Sequence, residues 1–280
     1  LKLNSSINIT LNLEDCFIED EILLIAIPSS GVEQLSKRIN DLKLESNKFI
    51  LASKGIENKL FMTMSEIFKN KTNVDDDKIF VLSGPNLANE IADNYPAASV
   101  MAGSSLKEMK KIISSFNNDD FKVFLSDDKK GIELAGALKN IYAISSGLSD
   151  GLGGKFNTKA TLLTRSLAEM SELFQVLNAN PLTLLGLAGV GDLIATASSN
   201  KSRNYSFGKK IGLGLSKEKA ISEIGQVVEG IRTLEAVYKK KNSLNLTMPI
   251  IDELYKIIFN KSDPKDYFAK IFAESNNIDT

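Results

Sequence analysis

The chain has 280 residues, 43% of them hydrophobic and 25% charged, which is an ordinary composition for a globular protein with room for two domains. Its formal net charge of −1 and the lack of any apolar run near roughly 20 residues argue against nucleic-acid binding and membrane insertion. It has no histidine, which excludes Ser-His-Asp hydrolysis and histidine-ligated zinc, and one cysteine, which predicts a reducing compartment, the cytoplasm.

The first part of the chain alternates predicted strands and helices. Short apolar runs predict strands over residues 21–28, 48–53, 79–82, 97–101 and 121–125. Helical patterns lie between them, over residues 31–41, 60–69, 86–91 and 106–116. Strands separated by helices predict an α/β domain with a mostly parallel sheet. We assign residues 1–130 to this domain, with an irregular polar stretch over Leu1 to Asn12.

The pattern changes near residue 130, after which no strand is predicted. The remaining sequence, residues 131–280, is therefore predicted to form an all-α domain. Its helices are expected over residues 131–148, 157–178, 203–213, 216–224, 227–241, 248–260 and 264–273.

Lys139 and Asn140 stand side by side in the first helix of the second part. Because the chain has no histidine, acid–base catalysis would have to use lysine, aspartate, glutamate or tyrosine. Lys139 shares its helix face with small and apolar residues, and burial there would lower its pKa toward the range useful for proton transfer. Asn140 is placed to orient a substrate hydroxyl. Taken alone, the helix favours a simpler interpretation, in which Lys139 reaches the surface over its apolar neighbours.

Two further polar groups follow predicted strands. Lys54 comes directly after the second strand, and carboxyl ends of strands are where open α/β sheets bind ligands. Gly84 follows the third strand, and Asn86 is a good helix N-cap with free N–H groups behind it that could receive an anion. An exposed loop lysine and an ordinary helix cap are the alternatives at these positions.

Residues 186–192 have the sequence Gly-Leu-Ala-Gly-Val-Gly-Asp, which superficially matches a dinucleotide-binding loop. No strand precedes it, so we reject that interpretation. The glycines instead predict a tight bend that presents Asp192, with Thr196 one helical turn later. Arg203 is suited to gripping a phosphate, with Ser202 and Asn204 beside it. A helix cap followed by a surface arginine is the alternative.

Six motifs, taken together and in order, resemble bacterial-type NAD(P)-dependent glycerol-3-phosphate dehydrogenase. They are Ser-Lys-Gly-Ile at 53–56, Ser-Gly-Pro-Asn-Leu-Ala-Asn-Glu-Ile at 83–91, Gly-Ala-Leu-Lys-Asn-Ile at 136–141, Gly-Leu-Ala-Gly-Val-Gly-Asp-Leu at 186–193, Ser-Arg-Asn at 202–204 and Val-Glu-Gly at 228–230. The resemblance covers nearly the whole chain. It implies a Rossmann-type nucleotide-binding domain followed by an all-α substrate domain like that of 6-phosphogluconate dehydrogenase.

The resemblance also implies a reaction, the interconversion of sn-glycerol 3-phosphate and dihydroxyacetone phosphate with NAD or NADP in glycerophospholipid biosynthesis. Lys139 would be the proton acceptor. The substrate-binding residues implied are Lys54, Gly84, Asn86, Lys139, Asn140, Asp192, Thr196, Ser202, Arg203 and Asn204. The cofactor-binding residues implied are Lys54, Ala88, Arg203, Val227 and Glu229.

One departure from the family pattern concerns the start of the chain. Family members begin with a strand, a Gly-x-Gly-x-x-Gly turn and a helix that bind the pyrophosphate, and no such segment stands before Glu21. We expect the nucleotide-binding domain to be N-terminally incomplete by roughly 60 residues, the size of about two strand–helix units. On this expectation the 280-residue chain alone binds NAD(P)H poorly and is inactive or weakly active.

Two other functions stay open at this point. The chain could be a related β-hydroxyacid dehydrogenase, which shares the domain arrangement and a catalytic lysine. It could also be a truncated, non-catalytic remnant that binds a phosphometabolite or a partner. The sequence does not decide between NAD and NADP or reveal a feedback regulator. For the oligomeric state, which it also leaves open, a homodimer is our working expectation.

Overall fold

The computed structural model describes residues 6–18 and 21–273. Residues 6–18 contain one short 3₁₀ turn, Glu14–Cys16, and no strand. Residues 6–12 are therefore irregular, as predicted for the stretch from Leu1 to Asn12. Residues 1–5 of that stretch lie outside the described part. A single five-stranded sheet follows. Its strands are β1 (Ile22–Ile25), β2 (Lys48–Leu51), β3 (Ile79–Ser83), β4 (Ala97–Ala102) and β5 (Phe121–Ser126).

The strands lie in chain order across the sheet. Three of the four neighbouring pairs are parallel, and β3 and β4 are antiparallel. The predicted α/β fold with a mostly parallel sheet is therefore confirmed. The antiparallel pair arises because the chain turns back beside β3 after one short helix, without crossing over the sheet.

Four helices connect these strands: α1 (Val32–Asp41), α2 (Met64–Lys71), α3 (Ala88–Ala92) and α4 (Leu106–Ile112). Alternate residues of the strands point to opposite faces of the sheet. On β2, Phe49 and Leu51 join the core shared with α1 and α2, whereas Ile50 packs in a second core beneath α4. The sheet is thus covered on both faces, as parallel sheets require.

The described chain after β5 contains no strand, and its long regular elements are α-helices. They are α5 (Lys129–Gly151), α6 (Phe156–Val176), α7 (Asp192–Ala197), α8 (Arg203–Gly212), α9 (Lys217–Ile224), α10 (Glu229–Ser243), α11 (Pro249–Asn260) and α12 (Tyr267–Ala273). The predicted helices correspond to these except α7, which was predicted only as a bend. A division into two domains near residue 130 stays a prediction.

Helix α5 is the axis of the helical part, and its residues from Gly131 to Ser149 are all buried. Its N-cap is Asp128, whose carboxylate accepts a hydrogen bond from the N–H of Gly131 at 2.9 Å. Helix α8 lies directly against it. A Cβ on Gly147 of α5 or on Gly208 of α8 would overlap the backbone of the facing helix. This close approach brings the first turn of α8 beside Lys139 and Asn140.

No helix within residues 6–18 and 21–273 has the length and hydropathy needed to cross a membrane.

Candidate active site

The carboxylate of Asp192 joins two lysines that come from different parts of the fold. Lys139 Nζ lies 2.6 Å from Oδ1, and Lys54 Nζ lies 2.6 Å from Oδ2. Lys139 also donates to Thr196 Oγ1 at 2.6 Å, and Lys54 donates to the carbonyl of Gly84 at 3.1 Å. One carboxylate thus gathers five of the predicted site residues into one continuous network.

Local structure explains how these side chains meet. Lys54 stands three residues after β2, at the carboxyl end of that strand. Asp192 is the first residue of α7 and Thr196 lies one helical turn further on, so their side chains share a face. Before α7 the chain runs through an irregular turn, Leu187–Gly191, in which Gly189 has non-helical dihedral angles. A side chain at Gly189 would overlap the backbone of Leu184, so glycine is needed there for space.

Lys139 does not reach the surface over its apolar neighbours. The residue is only 7% exposed, and its ammonium group is held in the interior by Asp192 and Thr196. Burial, assisted by the nearby charge of Lys54, lowers the pKa of Lys139 to about 8, although Asp192 acts in the opposite direction. Burial alone would raise the pKa of the Asp192 carboxyl, but the two ammonium groups outweigh it and hold this pKa below its ordinary value.

A cleft of about 610 Å³ opens beside these lysines, at the carboxyl ends of β1 and β2. One wall comes from the ends of these strands and the other from α5, α8 and the start of α10. Its polar lining comprises Ser29, Ser53, Lys54, Lys139, Asn140, Arg203, Asn204, Gln226 and Glu229. The cleft is therefore positively charged at its inner end and lies where open α/β sheets bind nucleotides.

Asn140 and Asn204 form a buried pair beside Lys139. Asn204 donates through Nδ2 to Oδ1 of Asn140 at 2.8 Å, and its own Oδ1 accepts from the N–H of Gly230 at 3.0 Å. A Cβ on Gly230 would lie 2.7 Å from the carbonyl oxygen of Asn140, so α10 approaches α5 this closely only through a glycine. Both predicted residues thus line the cleft while tying three helices together.

Arg203 is the first residue of α8 and lies at the mouth of the cleft. Its Nη1 donates to the carbonyl of Val227 at 3.1 Å, which brings together two residues that sequence reasoning assigned to the cofactor. Ser202 is the N-cap of α8 and accepts from the N–H of Tyr205 at 3.3 Å. The helix-cap interpretation of Ser202 therefore holds in this structure, next to an arginine that faces the cleft.

The prediction that Asn86 caps a helix is wrong. Helix α3 begins at Ala88, its N-cap is Leu87, and no side chain bonds to its first turn. Asn86 instead accepts a hydrogen bond from the hydroxyl of Ser99 at 2.6 Å, because this buried β4 side chain competes for its oxygen. Gly84 has φ +150° and leaves no room for a Cβ, which would lie 2.9 Å from Ser99. Ala88 is exposed at the start of α3.

Sequence reasoning missed Ser29 as a site residue. Its hydroxyl donates to Oε2 of Glu229 at 2.6 Å, and its backbone N–H donates to Oε1 at 3.2 Å. Glu229 was predicted at the cofactor side, and this contact places it against the end of β1. The only signal in the sequence was the Pro28-Ser29 pair that ends the first strand.

The site residues fit the nicotinamide side of a dinucleotide. The chemistry of the donor set supports this, because hydroxyl, amide and carboxylate groups line the outer cleft and two lysines close its inner end. Within residues 6–18 and 21–273, no glycine-rich turn links a strand to a helix in the manner of a pyrophosphate-binding loop. The chemistry of the cleft lining therefore suits a nicotinamide and its neighbouring ribose.

Comparison with known proteins identifies the family. Residues 1–109 match the family described as NAD-dependent glycerol-3-phosphate dehydrogenase N-terminus, and residues 128–269 match the corresponding C-terminus. The glycerol-3-phosphate dehydrogenase (NAD(P)+) of Thermoanaerobacter sp. is 41% identical over 258 residues, which are 92% of this chain and 77% of that protein. The Staphylococcus carnosus enzyme of the same name is 42% identical over 272 residues, or 96% and 81% of the two chains.

A solved structure agrees with these matches. The crystal structure of glycerol-3-phosphate dehydrogenase from Coxiella burnetii superimposes with a TM-score of 0.85 and 33% sequence identity, over 91% of this chain and 77% of that one. These matches favour neither a β-hydroxyacid dehydrogenase nor a non-catalytic remnant. The predicted resemblance is confirmed, and the chain belongs to the NAD(P)-dependent glycerol-3-phosphate dehydrogenase family.

Proposed function

We propose that this protein is an oxidoreductase that interconverts sn-glycerol 3-phosphate and dihydroxyacetone phosphate with NAD or NADP, in glycerophospholipid biosynthesis. The observation that carries the proposal is the Lys54–Asp192–Lys139 network at the inner end of the cleft, in a chain of this family. The network offers a buried amine that can exchange a proton at moderate pH. It also offers a second positive charge for an anionic substrate.

Lys139 is the proton acceptor in this proposal. Its pKa of about 8 means that a useful fraction of the amine is neutral at moderately alkaline pH, so Nζ can take the proton from the substrate's C2 hydroxyl. In the reverse direction the ammonium form donates a hydrogen bond to the carbonyl oxygen and returns the proton. Asp192 and Thr196 hold Nζ in place for both directions.

A bound coenzyme would supply the hydride acceptor, or in reverse the hydride donor, for C2 of the substrate. The chain's own part is to bind and orient. Lys54 is positioned to contact both ligands, because it lines the cleft and bonds to Gly84 and Asp192. Ala88, Val227 and Glu229 are assigned to the coenzyme side, and Gly84, Asn86 and Asn140 to the substrate side.

We assign the substrate phosphate to the first turn of α8. Arg203 offers a planar guanidinium that can bind a phosphate through two hydrogen bonds, and it lies at the cleft mouth. Ser202 and Asn204 flank it, and both already make hydrogen bonds that fix the start of the helix. The phosphate would therefore be held at a rigid point of the fold.

The proposal includes a cytoplasmic location and a homodimer, both as extensions of the family assignment. Light scattering of the purified chain at micromolar concentration tests the second directly. A mass near twice 30.6 kDa is expected, and a mass of 30.6 kDa at every concentration would contradict it.

Substrate specificity tests the proposed reaction. The purified chain is assayed for coenzyme reduction with sn-glycerol 3-phosphate, with glycerol, and with a β-hydroxyacid, each with NAD and with NADP. We expect kcat/KM to be highest for the phosphorylated substrate by at least about 10², because two cationic side chains would lose their anionic partner with glycerol. A β-hydroxyacid that reacts as well as glycerol 3-phosphate would contradict the proposal.

A further inference from the structure

The contact between Ser29 and Glu229 joins the two parts of the fold across the mouth of the cleft. Ser29 follows β1 by four residues, and Glu229 is the first residue of α10. Both carboxylate oxygens are used, since the Ser29 hydroxyl donates at 2.6 Å and the Ser29 N–H at 3.2 Å. We name this pair of hydrogen bonds the Ser29–Glu229 clasp.

Gly55 makes room for the clasp. A Cβ built at Gly55 would lie 2.5 Å from Cβ of Ser29 and 2.8 Å from its Oγ. The same atom would lie 3.9 Å from Oε2 of Glu229. Any larger residue at this position would push Ser29 away from the carboxylate, so the Lys54-Gly55 pair serves both the catalytic network and the clasp.

The clasp continues into the site through backbone and side-chain contacts. Gly230, the residue after Glu229, donates its N–H to Oδ1 of Asn204 at 3.0 Å. Asn204 in turn donates to Asn140 at 2.8 Å, and Asn140 is the neighbour of Lys139 on α5. The start of α10 is therefore held on one side by β1 and on the other by the helix that carries the proposed base.

A second contact between α10 and the first part of the chain is weaker. Asn58 Nδ2 donates to Oε2 of Glu235 at 3.4 Å, near the distance limit of a hydrogen bond. Neither residue lines the cleft. Hydrogen bonds to a charged group at short distance are the stronger kind, so Ser29 is the better-defined link.

We propose that Ser29 is a positioning residue whose clasp on Glu229 fixes the start of α10 against β1 and so sets the wall of the cleft that receives the coenzyme. A carboxylate has about four lone-pair sites, of which Ser29 uses two. Those that remain can accept hydrogen bonds from ribose hydroxyls, and the clasp holds them in one orientation. The inference rests on the proposed function for the identity of this ligand.

The test is a double-mutant cycle in the full 280-residue chain, with Ser29→Ala, Glu229→Gln and the double variant. The first readout is the dissociation constant of NADH and of NADPH, which is measured from nicotinamide fluorescence in the absence of substrate. We expect Ser29→Ala to raise it by roughly tenfold, the scale of one hydrogen bond to a charged group. Because Ser29 acts through Glu229, the double variant should bind no more weakly than Glu229→Gln alone.

Steady-state kinetics provide the second readout. Ser29→Ala should raise KM for the coenzyme and leave kcat within about threefold, because the clasp does not touch the reacting atoms. The matched control is Asn58→Ala, which removes a second hydrogen bond between α10 and the first part of the chain. Asn58→Ala should change the dissociation constant of the coenzyme by less than about twofold. In free energy of binding, this small effect should be additive with the effect of Glu229→Gln.

Three outcomes would overturn the inference: an unchanged dissociation constant in Ser29→Ala, additive effects of the two single changes, or an equal loss in Asn58→Ala. A fourth, an additive cycle for the free energy of unfolding without ligand, would show that the clasp does not form. Failure of the proposed function would appear differently, as turnover of a β-hydroxyacid by the wild-type chain at least as fast as turnover of glycerol 3-phosphate.

Discussion

Lys139 and Asp192 form a buried ion pair with 2.6 Å between Nζ and Oδ1, yet the lysine keeps a lowered pKa of about 8. An isolated carboxylate partner would raise this pKa. Here burial and the second ammonium group at Lys54 oppose it, because both lysines share one negative charge. The arrangement holds the amine firmly without removing its ability to release a proton.

The first prediction concerns Lys54. Replacing it by methionine removes the like charge that helps to lower the pKa of Lys139. The inflection in the pH profile of kcat for glycerol 3-phosphate oxidation should therefore move to higher pH, and KM for the substrate should rise. The matched control is Lys48→Met. Lys48 is the first residue of β2 and is paired with Glu108, away from Lys139. An inflection that moves to lower pH in Lys54→Met would contradict this account.

Asp192→Asn should move the inflection in the opposite direction. The Asp192 carboxylate raises the pKa of Lys139, so its loss should lower this pKa further and move the inflection to lower pH. Two ammonium groups also lose their counter-ion, and breaking a buried pair costs roughly 3–5 kcal/mol of stability. Asp252→Asn is the control, because it breaks a different ion pair, the one between Asp252 of α11 and the buried Lys241 of α10. That control should lower the melting temperature and leave the pH profile unchanged.

Arg203→Ala should mainly weaken binding of the phosphorylated substrate. A charge-assisted pair of hydrogen bonds is lost, so KM for glycerol 3-phosphate should rise by at least about tenfold while kcat falls less. Arg203→Lys should recover only part of the loss, since an ammonium cannot reproduce the planar fork. Arg38→Ala, at an exposed arginine of α1, is the control. An unchanged KM in Arg203→Ala would count against phosphate binding at this position.

Stability should depend on pH through Glu169, which is buried in α6. It accepts hydrogen bonds from the N–H of Ile250 at 2.6 Å and from the hydroxyl of Tyr142 at 3.1 Å. Burial raises its pKa to about 8, although these donors favour the ionised form. The folded chain therefore binds a proton that the unfolded chain releases near its ordinary value of 4.5, and stability should fall as pH rises from about 4.5 to 8.

Glu169→Gln tests this dependence by urea unfolding at several pH values. The glutamine cannot ionise, so the slope contributed by this group, which approaches about 1.4 kcal/mol per pH unit, should disappear between pH 5 and 8. Glu172→Gln, one turn along the same helix, is the control. Parallel stability curves for wild type and Glu169→Gln over that range would contradict the assignment.

The sequence was most informative where chemistry and local pattern coincide. The strands and most helices follow from apolar periodicity, and Lys54, Lys139 and Asp192 could be named from motifs in a chain without histidine. Helix α7 was predicted only as a bend because six residues are too few to show a clear helical period. The glycines before it mark the bend correctly, since Gly189 has no room for a side chain.

The contacts that sequence reasoning missed are those made between distant segments. Asn86 has good N-cap chemistry, but its partner is Ser99 on the next strand, and no local pattern predicts that hydrogen bond. Ser29 and Glu229 lie 200 residues apart and meet only after the two parts of the fold pack together. Long-range pairing of this kind depends on the tertiary structure.

The pH dependence of kcat in Lys139→Ala, measured at saturating substrate and coenzyme, tests the central claim most directly. Wild type should show an inflection near pH 8, the pKa of the buried amine. The variant should lose about 10² or more in kcat, lack this inflection, and regain part of its rate when methylamine is added. The exposed Lys110→Ala is the control. If Lys139→Ala keeps kcat within threefold of wild type and shows the same inflection, Lys139 is not the proton acceptor.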